Sequence, residues 1–490
     1  MVVKDEYNFI SNEIPIKIRI YTEKKEFVPI YDVSISSISK NTEIILEKIR
    51  QELITEVNLG IIDIINVKKS DLIEQRFKET IDLLVKKHFP DVNKKTMNFL
   101  KSYLIQKSLG MGNIEILMND THLEEIAINN AEEPVWVYHR KHGWLKTNIW
   151  VDSEEQIKHY ASLIGKKVGR QITVLEPLMD ANLSTGDRVN ATLLPTSLKG
   201  NTITIRKFAA KPWTITDFIK NKTISAEAAA FIWLGVQYEL SIIISGGTAT
   251  GKTSMLNVVS NFFPPNQRII SIEDTHEIKL PKFLHWIPMV TKLPNPEGRG
   301  AITMLDLLVN SLRMRPDRIV VGEIRRKKEA EVLFEAIHTG HSVYATVHAN
   351  DTDETITRLT NPPIDIPKTM LPAISMILVQ YRNRRTGTRK TFQISEILPD
   401  TSTNVLIQLN TKKDKLEKVH ESSSIMKTLQ MFTGMTRNEI NKDLKEKELV
   451  LKYMVKHNIN TVDDVGGVMA EYYTNKDEFM KTVRSKKKSR

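Results

Sequence analysis

Residues 241–263 read SIIISGGTATGKTSMLNVVSNFF, and this stretch decides how the second half of the chain folds. Three consecutive isoleucines predict a buried strand, and the residues after the third glycine have the pattern of a helix. Between them, Gly246 to Thr253 fit the pattern G-x-x-x-x-G-K-[ST]. Because a strand precedes this pattern and a helix follows it, the stretch predicts a P-loop that binds nucleotide phosphates.

The residue types of the loop suit a phosphate ligand. Glycines let backbone N–H groups approach phosphate oxygens, and the N-terminus of the following helix favours negative charge. Lys252 is expected to contact the β- and γ-phosphates, and the Thr253 hydroxyl is expected to ligate Mg²⁺. The alternative is a glycine-rich turn without a ligand. The nucleotide-binding residues predicted for ATP are Gly246, Gly247, Thr248, Ala249, Thr250, Gly251, Lys252, Thr253 and Ser254.

Composition limits the other possibilities. The chain has 490 residues, no cysteine and a formal charge of +11. The absence of cysteine excludes disulfides, thiol catalysis and cysteine-ligated zinc, and it fits a reducing cytoplasm. The charged start MVVKDEYNFI predicts no signal peptide, and no apolar run reaches the roughly 18 residues that span a bilayer. The positive charge suits an acidic partner such as nucleic acid or anionic lipid, although RSKKKSR at the C-terminus supplies part of it.

Periodicity predicts two kinds of architecture. Residues 42–57 and 72–85 place apolar side chains at helical spacing, whereas PVWVYHR and NTITIRKF alternate as half-buried strands do. After Pro212, strand-like and helix-like segments follow one another, which predicts a parallel sheet covered by helices. The predicted divisions are a helical, variable segment 1–95, an α+β domain 96–211, a linker 212–222, an ATPase core 223–400 and a helical part 401–490.

Two acidic segments follow predicted strands of the same sheet. RIISIED ends with Glu273 and Asp274, and DRIVVGE ends with Glu323. Phosphoryl transfer from a bound nucleotide needs one acid to activate water and another on the metal side. Glu273 is favoured as the base and Glu323 as the Mg²⁺-side acid, with the reverse assignment open. A solvated loop carboxylate is the alternative for each.

Three histidines, His338, His341 and His348, lie within eleven residues. Their spacing puts the first two at a helix end and the last beyond the next strand, which argues against zinc. His341 and His348 are instead predicted to form hydrogen bonds across strand ends near the γ-phosphate. Ordinary core or turn histidines are the alternative.

Together these motifs resemble one family. GGTATGKTS, IEDTHEI, RPDRIVVGEIR with Gly322 at the usual acid position, and TGHSVYATVHAND occur in the order found in the hexameric secretion ATPases. This family serves type II and type IV secretion, type IV pilus assembly and retraction, and the archaellum motor. The resemblance extends upstream through MDANLSTGDRVNATLLPTSLKGNTITIRKF, covers about residues 110–480, and is greatest to archaeal members.

The resemblance implies an α/β fold in which an N-terminal α+β (PAS-like) domain precedes a RecA-like P-loop ATPase domain with a C-terminal helical part. It implies a homo-hexamer that uses ATP and Mg²⁺, lies in the cytoplasm at the membrane periphery, and acts on a polytopic membrane platform protein. Anionic lipid is a further expected partner, whereas zinc is not expected and nucleic acid is disfavoured. Many bacterial type II members carry a tetracysteine zinc element that this chain lacks.

Arginines of the N-terminal domain complete the active site in the family that the chain resembles. Arg188 in GDRVNA and Arg206 in TIRKF match that pattern. Asn182 stands where many members have an arginine, which leaves the number of such arginines open. Solvated strand arginines are the alternative for both positions.

Two other classes of protein fit parts of the sequence. A RecA-like helicase or DNA translocase would share the P-loop, but no basic stripe interleaved with aromatic residues is present to stack single strands. A nucleotide-switched scaffold would keep Lys252 without needing the acids.

Overall fold

The computed structural model describes residues 1–24, 26–35, 40–57, 70–108, 110–183, 185–208, 212–294 and 298–488. The chain forms two units, Met1–Ala210 and Lys211–Arg490. The predicted domain boundary at residue 211 falls on residues 209–211, which lie outside the described residues.

The first unit contains a nine-stranded sheet in the order β1-β2-β3-β6-β5-β4-β9-β8-β7. All of its paired neighbours are antiparallel except β3 and β6. Its strands are β1 (Val2–Ser11), β2 (Ile14–Thr22), β3 (Ile30–Ile35), β4 (Leu123–Ile128), β5 (Trp136–His139), β6 (Gly143–Thr147), β7 (Leu178–Asn182), β8 (Arg188–Thr192) and β9 (Thr202–Arg206).

Helices supply the remaining elements of this unit, and their apolar side chains join those of the sheet in one hydrophobic core. They are α1 (Lys40–Val57), α2 (Ser70–His88), α3 (Lys94–Ser108), α4 (Ile114–Asn119) and α5 (Glu154–Lys167). α5 begins at an N-cap, where the Ser153 side chain accepts a hydrogen bond from the Gln156 N–H.

The prediction of a helical segment over residues 1–95 is wrong for its first third. Residues 2–35 contain β1, β2 and β3, and helices begin only at Lys40. The reason is the alternation in IPIKIRI, where Ile14, Ile16, Ile18 and Ile20 are all buried while the residues between them are not. A period of two places every apolar side chain on one face of a strand.

The second unit contains a second nine-stranded sheet in the order β12-β11-β13-β14-β10-β15-β16-β17-β18. Its first six strands are parallel and its last three are added antiparallel. The strands are β10 (Ile242–Gly246), β11 (Arg268–Glu273), β12 (His285–Val290), β13 (Arg318–Val321), β14 (Ser342–Val347), β15 (Met376–Arg382), β16 (Arg389–Ile397), β17 (Thr403–Asn410) and β18 (Lys415–Lys418).

Helices and a 3₁₀ helix, Lys368–Ala373, connect these strands and follow them. The helices are α6 (Ile215–Lys220), α7 (Ala226–Gln237), α8 (Lys252–Ser260), α9 (Met304–Leu312), α10 (Lys327–His338), α11 (Thr352–Thr360), α12 (Ser424–Thr433), α13 (Arg437–Lys456), α14 (Val462–Thr474) and α15 (Lys476–Lys488). No helix among the described residues is both long enough and apolar enough to cross a membrane.

Two predicted segments of this unit need correction. The predicted helical part 401–490 begins with β17 and β18, whose alternating side chains extend the sheet before α12. The predicted linker 212–222 contains α6, which starts at a capping box in which Thr214 and Asp217 exchange hydrogen bonds. The predicted fold class is confirmed: an α+β unit precedes an α/β, RecA-like unit with a helical C-terminal part.

Candidate nucleotide-binding site

The P-loop connects the centre of the parallel sheet to a helix. β10 ends at Gly246, and α8 begins at Lys252. β10 lies between β14 and β15 and is parallel to both. The carboxyl ends of these strands therefore share one edge of the sheet, where ligands of open α/β sheets bind.

Backbone geometry explains why two of the P-loop positions are glycine. A Cβ on Gly246 would lie 2.7 Å from the Gln380 carbonyl oxygen, a contact that the backbone of β15 cannot relieve. Gly251 has a φ of +93°, in the left-handed region that glycine adopts without steric cost. Ala249, between them, also has a positive φ of +59°.

Unpaired backbone donors collect at this loop. Among the described residues, none accepts a hydrogen bond from the N–H groups of Thr250, Gly251, Lys252 or Thr253. The first N–H groups of a helix have no partner within the helix, and successive donors of this kind attract anions. The loop therefore fits the phosphates of a nucleotide.

The Lys252 ammonium lies inside this loop. Its Nζ donates hydrogen bonds to the carbonyl oxygens of Gly246 at 2.9 Å and Gly247 at 3.0 Å. The third neighbour is Nδ1 of His348, 3.3 Å away. Burial lowers the pKa of Lys252, and the charge of Glu323 acts in the opposite direction. The charges of Lys252 and Glu323 therefore interact.

Glu323 and His348 meet beside this lysine. Glu323 follows β13, His348 follows β14, and Glu323 Oε1 lies 3.2 Å from His348 Nε2. Burial lowers the pKa of His348, the positive charge of Lys252 lowers it further, and Glu323 opposes both. A neutral imidazole can accept from Lys252 at Nδ1 and donate from Nε2 to Glu323.

Sequence reasoning assigned no role to Arg325, which pairs with two of the candidate acids. Its Nη2 lies 2.7 Å from Glu323 Oε2, and its Nη1 lies 2.6 Å from Asp274 Oδ2. Burial alone would lower the pKa of Arg325, but the two carboxylates outweigh it and raise the pKa. Its place in RPDRIVVGEIR, two residues after Glu323, signals the contact with Glu323 but not the one with Asp274.

The Glu273 carboxylate has a different environment. The residue is buried, and its Oε1 accepts hydrogen bonds from the N–H groups of Glu277 at 3.0 Å and Ile278 at 3.1 Å. Its Oε2 lies 3.3 Å from Nδ1 of His276. Glu273 therefore holds the segment after β11 in place, in addition to any role toward a nucleotide.

The prediction that His341 joins His348 near the γ-phosphate is wrong. His341 precedes β14 and His348 follows it, so the two lie at opposite ends of a six-residue strand. At about 3.3 Å per residue, such a strand separates its ends by about 20 Å. His341 Nδ1 instead lies 3.1 Å from both the Ala336 carbonyl oxygen and Thr339 Oγ1, where α10 ends.

Arg188 and Arg206 belong to the first unit and lie directly opposite each other on β8 and β9. The same cross-strand row continues to Asn182 on β7 and to Glu125 on β4. Directly opposed residues share a face of a sheet, so all four lie on one face. Arg188 forms two hydrogen bonds with Asp180, Nε to Oδ1 at 2.9 Å and Nη2 to Oδ2 at 2.5 Å.

The donor set of the second unit fits ATP with Mg²⁺. The unpaired N–H groups and Lys252 suit the phosphates, and the Thr253 hydroxyl with the Glu323 carboxylate supplies oxygen ligands that Mg²⁺ prefers. Within the described residues, no three His, Cys, Asp or Glu side chains are grouped so as to hold a metal ion by themselves.

Comparison with known proteins finds one matching family and several relatives. Residues 120–437, about two thirds of the chain, match the family described as "Type II/IV secretion system protein". An uncharacterized protein of Methanocaldococcus jannaschii is 38% identical to this chain over 60% of the chain's length. The matched region covers 54% of that relative, so this chain spans about half of the relative's length. A putative conjugal transfer protein of Mycobacterium tuberculosis is 30% identical over a region that covers 51% of this chain and 72% of that relative.

Among solved structures, the Legionella pneumophila ATPase DotB is 16% identical, with a TM-score of 0.43 over 76% of this chain and 95% of that one. The family match includes every motif from Asn182 to His348. The chain therefore belongs to the type II/IV secretion system protein family.

Proposed function

We propose that this protein is a motor ATPase that hydrolyses ATP to drive assembly of, or secretion through, a type IV pilus-like filament system. The observation that carries the proposal is the P-loop of a family member, with its unpaired N–H groups around Lys252 and with Glu323 and His348 beside it. A pilus, an archaellum and a secretion pseudopilus are all compatible with it.

In the proposed reaction, water attacks the γ-phosphorus of ATP, the bond to the β,γ-bridging oxygen breaks, and ADP and phosphate leave. The P-loop N–H groups and Lys252 hold the phosphates and stabilise the charge on their oxygens. Thr253, with Glu323 on the same side, would hold Mg²⁺, and the bound ion would supply positive charge to offset that of the phosphates. We assign Glu323 to this same side of the site because one imidazole, that of His348, lies 3.2 Å from Glu323 and 3.3 Å from Lys252.

The water-activating base is proposed among the two acids that follow β11 and β13. Glu273 stays our proposed base, although two backbone N–H groups already bond its Oε1. Glu323 is engaged by His348 through Oε1 and by Arg325 through Oε2. Either carboxylate can accept a proton from water, and replacement by glutamine separates the two assignments.

We further propose that the active form is a homo-hexamer at the cytoplasmic side of the membrane, where it acts on a polytopic platform protein and contacts anionic lipid. The name of one relative, a putative conjugal transfer protein, supports a role in a transfer system. In this proposal, Arg188 and Arg206 complete a site on the second unit, supplied by the same or a neighbouring subunit.

The proposal is tested by measuring phosphate release from ATP with purified protein. Wild type should turn over ATP, and Lys252→Ala should abolish turnover and most nucleotide binding, because it removes the charge that meets the phosphates. Lys445→Ala removes the same charge from an exposed position on α13 and should have no effect. Near-normal turnover of Lys252→Ala would refute the P-loop assignment.

Two additions to the same assay separate the alternatives. Vesicles that contain anionic lipid should raise the turnover of a membrane-associated motor, whereas single-stranded or duplex DNA should not. Stimulation by DNA alone would favour a nucleic-acid translocase. Nucleotide binding without turnover under every condition would favour a nucleotide-switched scaffold.

A further inference from the structure

The hairpin formed by β15 and β16 reaches the P-loop with one side chain. β15 pairs with the P-loop strand β10, where Gly246 lies opposite Gln380. Arg389, the first residue of β16, lies opposite Arg382 on β15. From there, Arg389 Nε donates a hydrogen bond of 2.9 Å to the carbonyl oxygen of Ala249, in the middle of the P-loop.

This contact fixes the direction of a peptide unit. In a trans peptide the C=O and the following N–H point in opposite directions. The Ala249 carbonyl points toward Arg389, so the Thr250 N–H points away from Arg389, and this N–H is one of the unpaired donors of the loop. The left-handed φ of Ala249 is disfavoured for a residue with a Cβ and needs an outside contact to persist.

The two residues after Arg389 are fixed by contacts outside the hairpin, and this holds Arg389 in place. Lys390 Nζ lies 2.5 Å from Asp414 Oδ2, and the Thr391 N–H donates to the Thr223 carbonyl oxygen at 2.8 Å. Arg389 itself is half-buried, and its Cδ would lie 3.7 Å from a Cβ on Gly251. The side chain therefore packs along the loop from Ala249 to Gly251.

We propose that Arg389 is a positioning residue of the nucleotide site, which keeps the P-loop in its phosphate-binding conformation through the hydrogen bond to Ala249. The proposal rests on the proposed function, because it takes the P-loop as the site of a nucleotide. It assigns the effect to the hydrogen bond rather than to the charge of the guanidinium.

The test is a titration of full-length protein with a fluorescent ADP analogue, together with steady-state ATP hydrolysis. Arg389→Ala should weaken ADP binding about five- to tenfold, the value of one hydrogen bond, and raise KM similarly with a smaller change in kcat. Arg389→Gln should recover most of the affinity. Its Nε2 occupies the position of arginine Nε along the side chain and can donate to the same carbonyl without a charge.

Arg384→Ala is the matched control, since it removes the same charge from the exposed turn of the same hairpin and should bind ADP as wild type does. Thermal unfolding of all variants should coincide, which separates positioning from folding. The inference is overturned if Arg389→Ala binds ADP as tightly as wild type. It is also overturned if Arg389→Gln is as weak as Arg389→Ala, since the charge would then be the cause. A wild-type protein that binds no ADP would overturn the proposed function itself.

Discussion

Glu323 and His348 lie 3.2 Å apart, carboxylate Oε1 to imidazole Nε2, after two adjacent parallel strands of the second unit. The other nitrogen of the same ring lies 3.3 Å from Lys252 Nζ. One imidazole therefore connects an acid to the P-loop lysine. This arrangement allows the protonation state of a single histidine to affect both groups.

The first prediction concerns pH. The lowered pKa of His348, caused first by burial and then by Lys252, keeps the ring neutral at neutral pH. Acidification below about pH 6.5, the ordinary histidine value, adds a proton to Nδ1 and removes the acceptor for Lys252. ATP turnover should fall on the acid side, with a midpoint below pH 6.5. The measurement is kcat/KM between pH 5 and pH 8.

His348→Asn is the informative variant, because a side-chain amide accepts and donates hydrogen bonds without titrating in this range. It should lose activity at neutral pH and also lose the acid-side decline. If kcat/KM of His348→Asn still falls on the acid side as it does in wild type, another group causes the decline. His457→Asn, which replaces an exposed histidine directly after the last residue of α13, should keep the wild-type profile.

The second prediction concerns the acids. Glu323→Gln keeps the shape of the side chain but removes the charge that faces His348 and Arg325. Turnover should drop by about 10²-fold or more while ADP binding persists, since a positioned acid or base contributes about 10²- to 10⁴-fold. Phosphate release and ADP titration measure the two quantities separately. Glu331→Gln, on the exposed face of α10, is the control.

Glu273→Gln completes this comparison. A glutamine Oε1 can still accept from the N–H groups of Glu277 and Ile278, so the fold of that segment should survive and any loss of turnover reports on chemistry. If Glu273→Gln hydrolyses ATP at the wild-type rate, Glu273 is not the base. Glu273→Ala should instead lower the free energy of unfolding by about 1–3 kcal/mol, because it leaves buried donors unpaired.

The sequence predicted the strand β10 and the helix α8 well, because the pattern is local: a strand, a fixed glycine and lysine spacing, and a helix. It predicted the first unit less well, since the alternation in IPIKIRI is short beside the helical patterns of residues 42–57 and 72–85. It placed His341 wrongly, because the strand that separates His341 from His348 holds the two side chains at opposite edges of the sheet. The contacts of Arg389 with Ala249 and of Arg325 with Asp274 join distant segments and have no local signature.

The third prediction concerns the stability of the first unit. His139 is 2% exposed, and its Nε2 has no hydrogen-bond partner among the described residues. Burial, and after it the charge of His142, lowers the pKa of His139 to about 4, against the opposing effect of Asp120. Between pH 6.5 and pH 4 the unfolded state therefore binds more protons than the folded state. Stability should decline as the pH falls through this range, by up to about 1.4 kcal/mol per pH unit.

Urea unfolding at pH 7 and pH 5, with hydrogen exchange in β5 to identify the first unit, measures this effect. His139→Asn should reduce the difference between the two pH values, since an amide oxygen can replace Nδ1 as the acceptor for the Lys141 N–H and does not titrate. Equal pH dependence in wild type and His139→Asn would show that another group causes it.

The last prediction concerns the proposed hexameric ring of subunits. Arg188 and Arg206 share an exposed face of the first unit's sheet, and Lys252 belongs to the second unit. If one of these arginines reaches the γ-phosphate of a neighbouring subunit, its removal should reduce turnover about 10³-fold or more, as for other arginine fingers supplied in trans. Folding should change little, because the ion pair of Arg188 with Asp180 is exposed and such pairs contribute little stability.

Mixing inactive variants tests this assignment directly. Lys252→Ala and Arg206→Ala each lack one half of the proposed site, so a mixed ring can pair an intact P-loop of one subunit with an intact arginine of the next. Part of the activity should return on mixing, and the same experiment with Arg188→Ala shows which arginine faces the phosphate, a question that Asn182 leaves open. If size measurements detect mixed rings and every mixture stays inactive, the arginines act within their own subunit or not at all, and the assignment in trans fails.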